Sequence, residues 1–201
     1  MKILNKNSKN YELAGRELKN GKIIVFPTDT VYGIGANYKD KEAIDKIYKY
    51  KNRDKNKPLI LLISKKEYLS KIAIFDEKKL EKLTNKFWPG ALTLVLKKNM
   101  DECKELNPDF QSIGVRIPKN KVALEIIENA GGIIATTSAN ISDKETPTNY
   151  NELDQEFIEK VDYVIKEENT HIGIASTIID MTGDNIKILR EGIIKKGDIL
   201  D

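Results

Sequence analysis

Residues 26–35 read Phe26-Pro-Thr-Asp-Thr-Val-Tyr-Gly-Ile-Gly35. They follow residues 22–26, a short apolar run that reads as a buried strand ended by Pro27. A strand end crowded with three hydroxyls, an acid and two glycines is an unusual turn. It sets a pattern that recurs along the chain.

Working outward, Leu13, Ala14 and Leu18 lie at helical spacing and predict a helix over 11–19, with Gly21 as its stop. Asp40 caps a helix through about residue 49, with Ala43, Ile44, Ile47 and Tyr48 on one face. An apolar strand follows over 59–63. Ser64 then caps a helix carrying Tyr68, Leu69 and Ile72. Residues 77–86 read as a helix that stops before Trp88-Pro-Gly90, a packed turn. Residues 92–96 and 113–117 read as strands. Asn120 caps a helix ended by Gly131 and Gly132. The strand over 133–136 runs into Thr137-Ser-Ala-Asn140, and the tail carries strands over 163–165, 176–180 and 186–189. Strands alternating with helices predict an α/β fold with ligands at strand ends.

Composition bounds the function. The chain has 201 residues, 40% of them apolar, and reads as one domain. Its longest apolar runs, about five residues, fall far short of the roughly 20 needed to span a bilayer. The first ten residues are polar and unlike a signal peptide, so the expectation is a cytoplasmic protein without a membrane partner. The 34 basic and 31 acidic residues give a net charge of +3, too balanced to establish a nucleic-acid partner. The one cysteine, Cys103, lies in a charged stretch and reads as a free surface thiol. The one histidine, His171, reads as a solvated loop residue. No metal site of protein side chains is assigned.

Polar clusters recur at predicted strand ends. They comprise Thr28 to Tyr32; Lys51, Arg53, Lys55 and Lys57; Ser112 and Arg116; Thr136 to Asn140; Ser176 and Thr177; and Arg190. Each alone has an ordinary explanation: Lys51 and Arg53 suit a helix dipole, and Ser138-Ala-Asn140 suits a cap or Asx turn. Together they describe cations and hydroxyls with almost no general base. Such a set suits an anionic ligand and phosphoryl or nucleotidyl transfer, which depends on positioning and charge neutralisation. Neither common glycine-rich nucleotide fingerprint is present.

Seven motifs in order carry a resemblance. Pro27-Thr-Asp-Thr-Val-Tyr-Gly-Ile-Gly35, Lys51-x-Arg53 with Lys57-Pro-Leu59, Phe87-Trp-Pro-Gly-Ala-Leu-Thr-Leu94, Gly114-Val-Arg-Ile-Pro118, Thr137-Ser-Ala-Asn140, Ser176-Thr-Ile-Ile-Asp180 and Ile188-Leu-Arg-Glu-Gly192 resemble the YrdC/TsaC family of threonylcarbamoyl-AMP synthases, in its short single-domain form. The resemblance implies a twisted, mostly parallel (mixed) open sheet flanked by helices, with a positively charged concave pocket. It implies that L-threonine, bicarbonate or CO2, and ATP are joined to give threonylcarbamoyl-AMP and pyrophosphate, with water released when the carbon comes from bicarbonate. Mg2+ is expected with ATP. Partner transferase proteins then modify the tRNA adenosine beside the anticodon.

The resemblance also implies residue roles. Thr30, Arg116 and Ser176 match threonine contacts. Lys51, Arg53, Ser138 and Asn140 match a polar tetrad around the phosphates and carbamate. Arg53, Lys57, Ser112, Ser138, Thr146 and Arg190 match nucleotide contacts. Asp29 reads as a loop anchor through backbone hydrogen bonds, and Tyr32 as a packing residue with a bonded hydroxyl. Two departures stand out. Asp143 replaces a glycine that serves the backbone, a position Asp tolerates. Leu62 lies near a histidine that touches threonine in some members. Two other functions compete. One is direct binding of tRNA or double-stranded RNA, which a +3 chain suits poorly. The other is carbamoyl-adenylate chemistry, as in hydrogenase-maturation proteins, whose zinc-binding cysteines are not matched here.

Overall fold

The computed structural model describes residues 1–167 and 172–200; His171 lies outside the described residues. The elements run β1 (Lys2–Asn5), α1 (Ser8–Lys19), β2 (Ile24–Phe26), β3 (Gly33–Ala36), α2 (Lys41–Lys51), β4 (Ile60–Ile63), α3 (Leu69–Ile72), β5 (Ala73–Ile74), α4 (Glu77–Phe87), β6 (Leu92–Lys98), β7 (Ser112–Arg116), α5 (Lys121–Asn129), β8 (Ile133–Ser138), α6 (Gln155–Ile158), β9 (Tyr163–Lys166), β10 (Thr177–Asp180), β11 (Lys187–Arg190) and α7 (Lys196–Leu200).

All the strands join one sheet in the order β1-β9-β2-β3-β8-β4-β7-β6-β10-β11, with β5 beside β6. The sheet is mixed rather than mostly parallel. Among the described residues, four pairings are parallel and six are antiparallel. The reason lies in β3. Its glycines read as a turn, yet Gly33–Ala36 pairs antiparallel with both β2 and β8 and reverses the direction at the centre of the sheet. The N-terminal strand β1 was also not expected. It is an edge strand, largely exposed, that pairs among the described residues with β9 alone.

Alternation along the strands divides two cores. Val25, Ile34, Leu61, Leu94, Val115 and Ala135 face one side, under Ile44 and Ile47 of α2, Leu80 and Leu83 of α4, and Phe157 of α6. Ile24, Phe26, Leu62, Ile134 and Ile165 face the other, under Ala14 and Leu18 of α1 and Ala123, Ile126 and Ile127 of α5. That second cluster ends at β4. Beyond it, the same face continues over β7, β6 and β10 with Arg116, which pairs in register with Leu62, and with Thr93 and Ile178, which pair with each other.

The caps at Asp40 and Asn120 form through their side chains. Ser64 does not cap: the 3-10 turn over Lys66–Tyr68 has no side-chain cap, because Ser64 Oγ donates instead to Glu128 Oε2 at 2.6 Å. Cys103 is buried, not a surface thiol. Its charged neighbours face solvent while Sγ turns inward, 3.8 Å from Ile72 O, and burial pushes the thiol pKa up to about 11. Among the described residues no helix is long and apolar enough to cross a membrane.

Candidate functional site

A cavity of about 240 Å³ opens where the second core ends. Its walls come from Thr28 and residues 30–33 after β2, Arg53 and Pro58 before β4, Arg116 ending β7, Thr136–Ser138 ending β8, Thr146, Ala175–Ser176 before β10, and Arg190 ending β11. Ile60, Leu62 and Ile178 form an apolar floor. Strand ends therefore build the rim, as expected, while residues within β4, β8 and β10 bring the cavity onto the sheet face.

Seven of the candidate residues meet there: Thr30, Arg53, Arg116, Ser138, Thr146, Ser176 and Arg190. Arg116 is buried. Its Nε donates to Gly90 O at 2.9 Å, its Nη1 to Thr30 Oγ1 at 3.0 Å, and its Nη2 to Asp29 Oδ1. Thr28 Oγ1 donates to Val31 O at 2.6 Å, which leaves Thr30 Oγ1 as the donor in the 3.1 Å bond between the two hydroxyls. The Trp88-Pro-Gly90 turn thus packs and also orients the arginine. Asp29 anchors through Arg116 rather than through backbone N–H groups. Tyr32 is fully buried; its hydroxyl accepts from Glu167 N and faces the carbonyls of Ile165 and Glu167.

Ser176 is held from two sides. Its Oγ lies 2.8 Å from Thr93 Oγ1, and Arg190 donates to its backbone oxygen through Nε at 3.1 Å and Nη2 at 2.9 Å. Gly192 makes this possible, since a Cβ there would stand 2.1 Å from Ala175 O. Arg53 is fixed by Nε on Lys57 O at 2.8 Å and Nη2 on Pro58 O at 3.2 Å. Burial lowers its guanidinium pKa. Crowding by protein, then the charges of Arg116 and Arg53, also lower that of Arg190.

Lys51 and Asn140 stand behind the wall. Lys51 ends α2, turns inward and is 1% exposed. Its Nζ donates to the backbone oxygens of Ser138 and Asn140 and, at 3.2 Å, to Asn140 Oδ1. Ser138 Oγ donates to the same Oδ1 at 2.6 Å. Burial, with repulsion from Arg53, brings the Lys51 pKa down to about 7.

Two candidates lie apart. Lys57 is exposed and pairs with Asp143 at 3.2 Å. Ser112 starts β7, about 13 Å along the strand from Arg116. Asp143 has φ 66°, the left-handed backbone expected there. Leu62 sits in the floor. Sequence reading missed Thr93, whose only signal is a lone hydroxyl on the alternate face of an apolar strand. Among the described residues no group of three His, Cys, Asp or Glu could hold a metal ion.

The Sua5/YciO/YrdC family model, described as "Telomere recombination", matches residues 16–192. A threonylcarbamoyl-AMP synthase of Pyrococcus abyssi is 38% identical over 180 residues, covering 90% of this chain and 53% of that protein. A relative from Methanocaldococcus jannaschii is 40% identical over 183 residues, covering 91% of this chain and 86% of its own. The crystal structure of P. abyssi Sua5 complexed with L-threonine superposes with a TM-score of 0.92 at 34% identity, over 98% of this chain and 59% of that one. The chain thus spans little more than half the length of the Pyrococcus relative.

Proposed function

The chain belongs to the Sua5/YciO/YrdC family, and from that premise we propose that it is a threonylcarbamoyl-AMP synthase. It joins L-threonine, CO2 from bicarbonate, and ATP, and supplies the product for threonylcarbamoylation of tRNA. One observation carries the reading: Arg53, Arg116 and Arg190 share a cavity with Thr30 and Ser176, and among the described residues no Asp or Glu lines it. A cationic cavity of this kind suits a carboxylate beside a triphosphate.

The chemistry follows from that placement. Threonine's amine loses a proton and attacks CO2, forming a carbamate. A carbamate oxygen attacks the α-phosphorus of ATP in line, the bond to the β-phosphate oxygen breaks, and pyrophosphate leaves. Arg116 holds the amino-acid carboxylate, with Thr30 and Ser176 beside it. Three of its five N–H donors have described partners, and two remain for a carboxylate. Arg53 and Arg190 counter the charge that spreads over the phosphates.

Lys51 and Asn140 act by fixing Ser138, and Lys51 adds positive charge from behind. Thr146 bounds the nucleotide. Lys57 and Ser112 lie further out, where a nucleotide extending from the cavity would reach them. Mg2+ enters with ATP as part of that substrate. Proteins that move the threonylcarbamoyl group to tRNA act downstream. Incubation with ATP, L-threonine and carbon-13 bicarbonate tests the reading: mass spectrometry should find the adenylate with one heavy carbon. An adenylate without that carbon, or none, would refute it.

A further inference from the structure

Asp29 is a carboxylate set beside a cavity walled by arginines. Its side chain is 11% exposed and that of Arg116 is 6% exposed, and the two form an ion pair. The rest of the guanidinium is fixed by Gly90 O and Thr30 Oγ1, so Arg116 does not depend on Asp29 alone for its position. Among the described residues Asp29 Oδ2 has no hydrogen-bond partner. Arg116 lines the cavity and Asp29 stands behind it, so two opposite charges meet at this wall.

We infer that Asp29 is a specificity-determining residue that makes the Arg116 site selective for an amino acid over a carboxylate lacking an ammonium. Arg116 attracts either ligand. A plain carboxylate placed on Arg116 also feels the Asp29 charge behind that guanidinium, across a poorly solvated wall where repulsion is strong. An α-ammonium, one carbon from the carboxylate, offsets that repulsion and gains from Asp29. The selection acts through charge and needs no direct contact with the ligand. It rests on the proposed threonine site.

Asp29→Asn separates charge from shape, because the amide oxygen still accepts from Nη2. Binding of L-threonine and of its deamino analogue, 3-hydroxybutyrate, is measured by calorimetry on the native protein and on D29N, with ATP binding as a check on folding. The native protein should prefer threonine by at least about 10-fold. In D29N threonine should weaken by about 5-fold while 3-hydroxybutyrate tightens by about 3-fold. Both ligands moving the same way, or neither moving, would overturn the role of Asp29. So would a native protein that binds the two equally, a result that needs no variant. Native protein that binds neither ligand would overturn the threonine site itself.

Discussion

Lys51, at the end of α2, is tied to Asn140 through both the backbone and the side-chain oxygen of that residue. The same ammonium bonds the Ser138 backbone oxygen. A helix end is thereby locked to the loop that leaves the central strand β8. Together they hold one wall of the cavity.

Replacing Lys51 with Met should leave the backbone oxygens of Ser138 and Asn140 without the Lys51 donor, while Asn140 Oδ1 keeps Ser138 Oγ. At about 1 kcal/mol or more for each, the cost is about 2 kcal/mol. For a chain of this size that lowers Tm by about 4–8 °C, measurable by calorimetry. Activity should fall with it, since Ser138 loses its support.

The same lysine gives a pH signature. Its pKa is down to about 7 in the folded chain against about 10.4 unfolded. Between those values the unfolded state binds more protons, so stability rises with pH. The stability of the native protein relative to K51M should therefore climb from pH 7 to 10 and be flat below pH 7. Urea titrations across this range check it; a difference independent of pH would show that Lys51 is not perturbed.

Arg53→Ala should fold, because it frees only two carbonyls at a half-buried position. It should slow pyrophosphate release by about 100-fold, the scale of one lost charge-stabilising donor. Full activity in R53A would remove Arg53 from the phosphate site.

Two glycines near the C-terminus should behave oppositely. Gly192→Ala forces a Cβ against Ala175 O and should destabilise by about 1–3 kcal/mol, with weaker threonine binding as Ser176 shifts. Gly183→Ala has nothing within 4 Å and should be nearly silent in both assays.

Cys103 should resist thiol reagents in the native protein and react fully in guanidinium. Its burial and raised pKa leave little accessible thiolate.

The legible parts of the fold were those with local signals. Asp40 and Asn120 announced their helices because each is a cap followed by an apolar stripe. β3 was hidden because Gly33 and Gly35 look like turn residues. In the sheet Gly35 leaves room for the Phe26 ring of the neighbouring strand and Gly33 for Thr136, about 100 residues away in sequence, constraints that only the paired strands make. Cys103 misled because flanking charges report exposure of neighbours, not of the thiol. Thr30, Arg116, Ser176 and Arg190 were each ambiguous alone, and only their order singled them out. The Asp29–Arg116 pair and the support of Ser176 by Thr93 were invisible, since each spans more than 80 residues of sequence.

Pyrophosphate release from ATP and bicarbonate, compared with L-threonine, L-serine, L-alanine and no amino acid, tests the synthase most directly. The predicted result is release that depends on an amino acid, is fastest with L-threonine, and is lost in Arg116→Ala. Release at the same rate without any amino acid, or none with threonine, would contradict it.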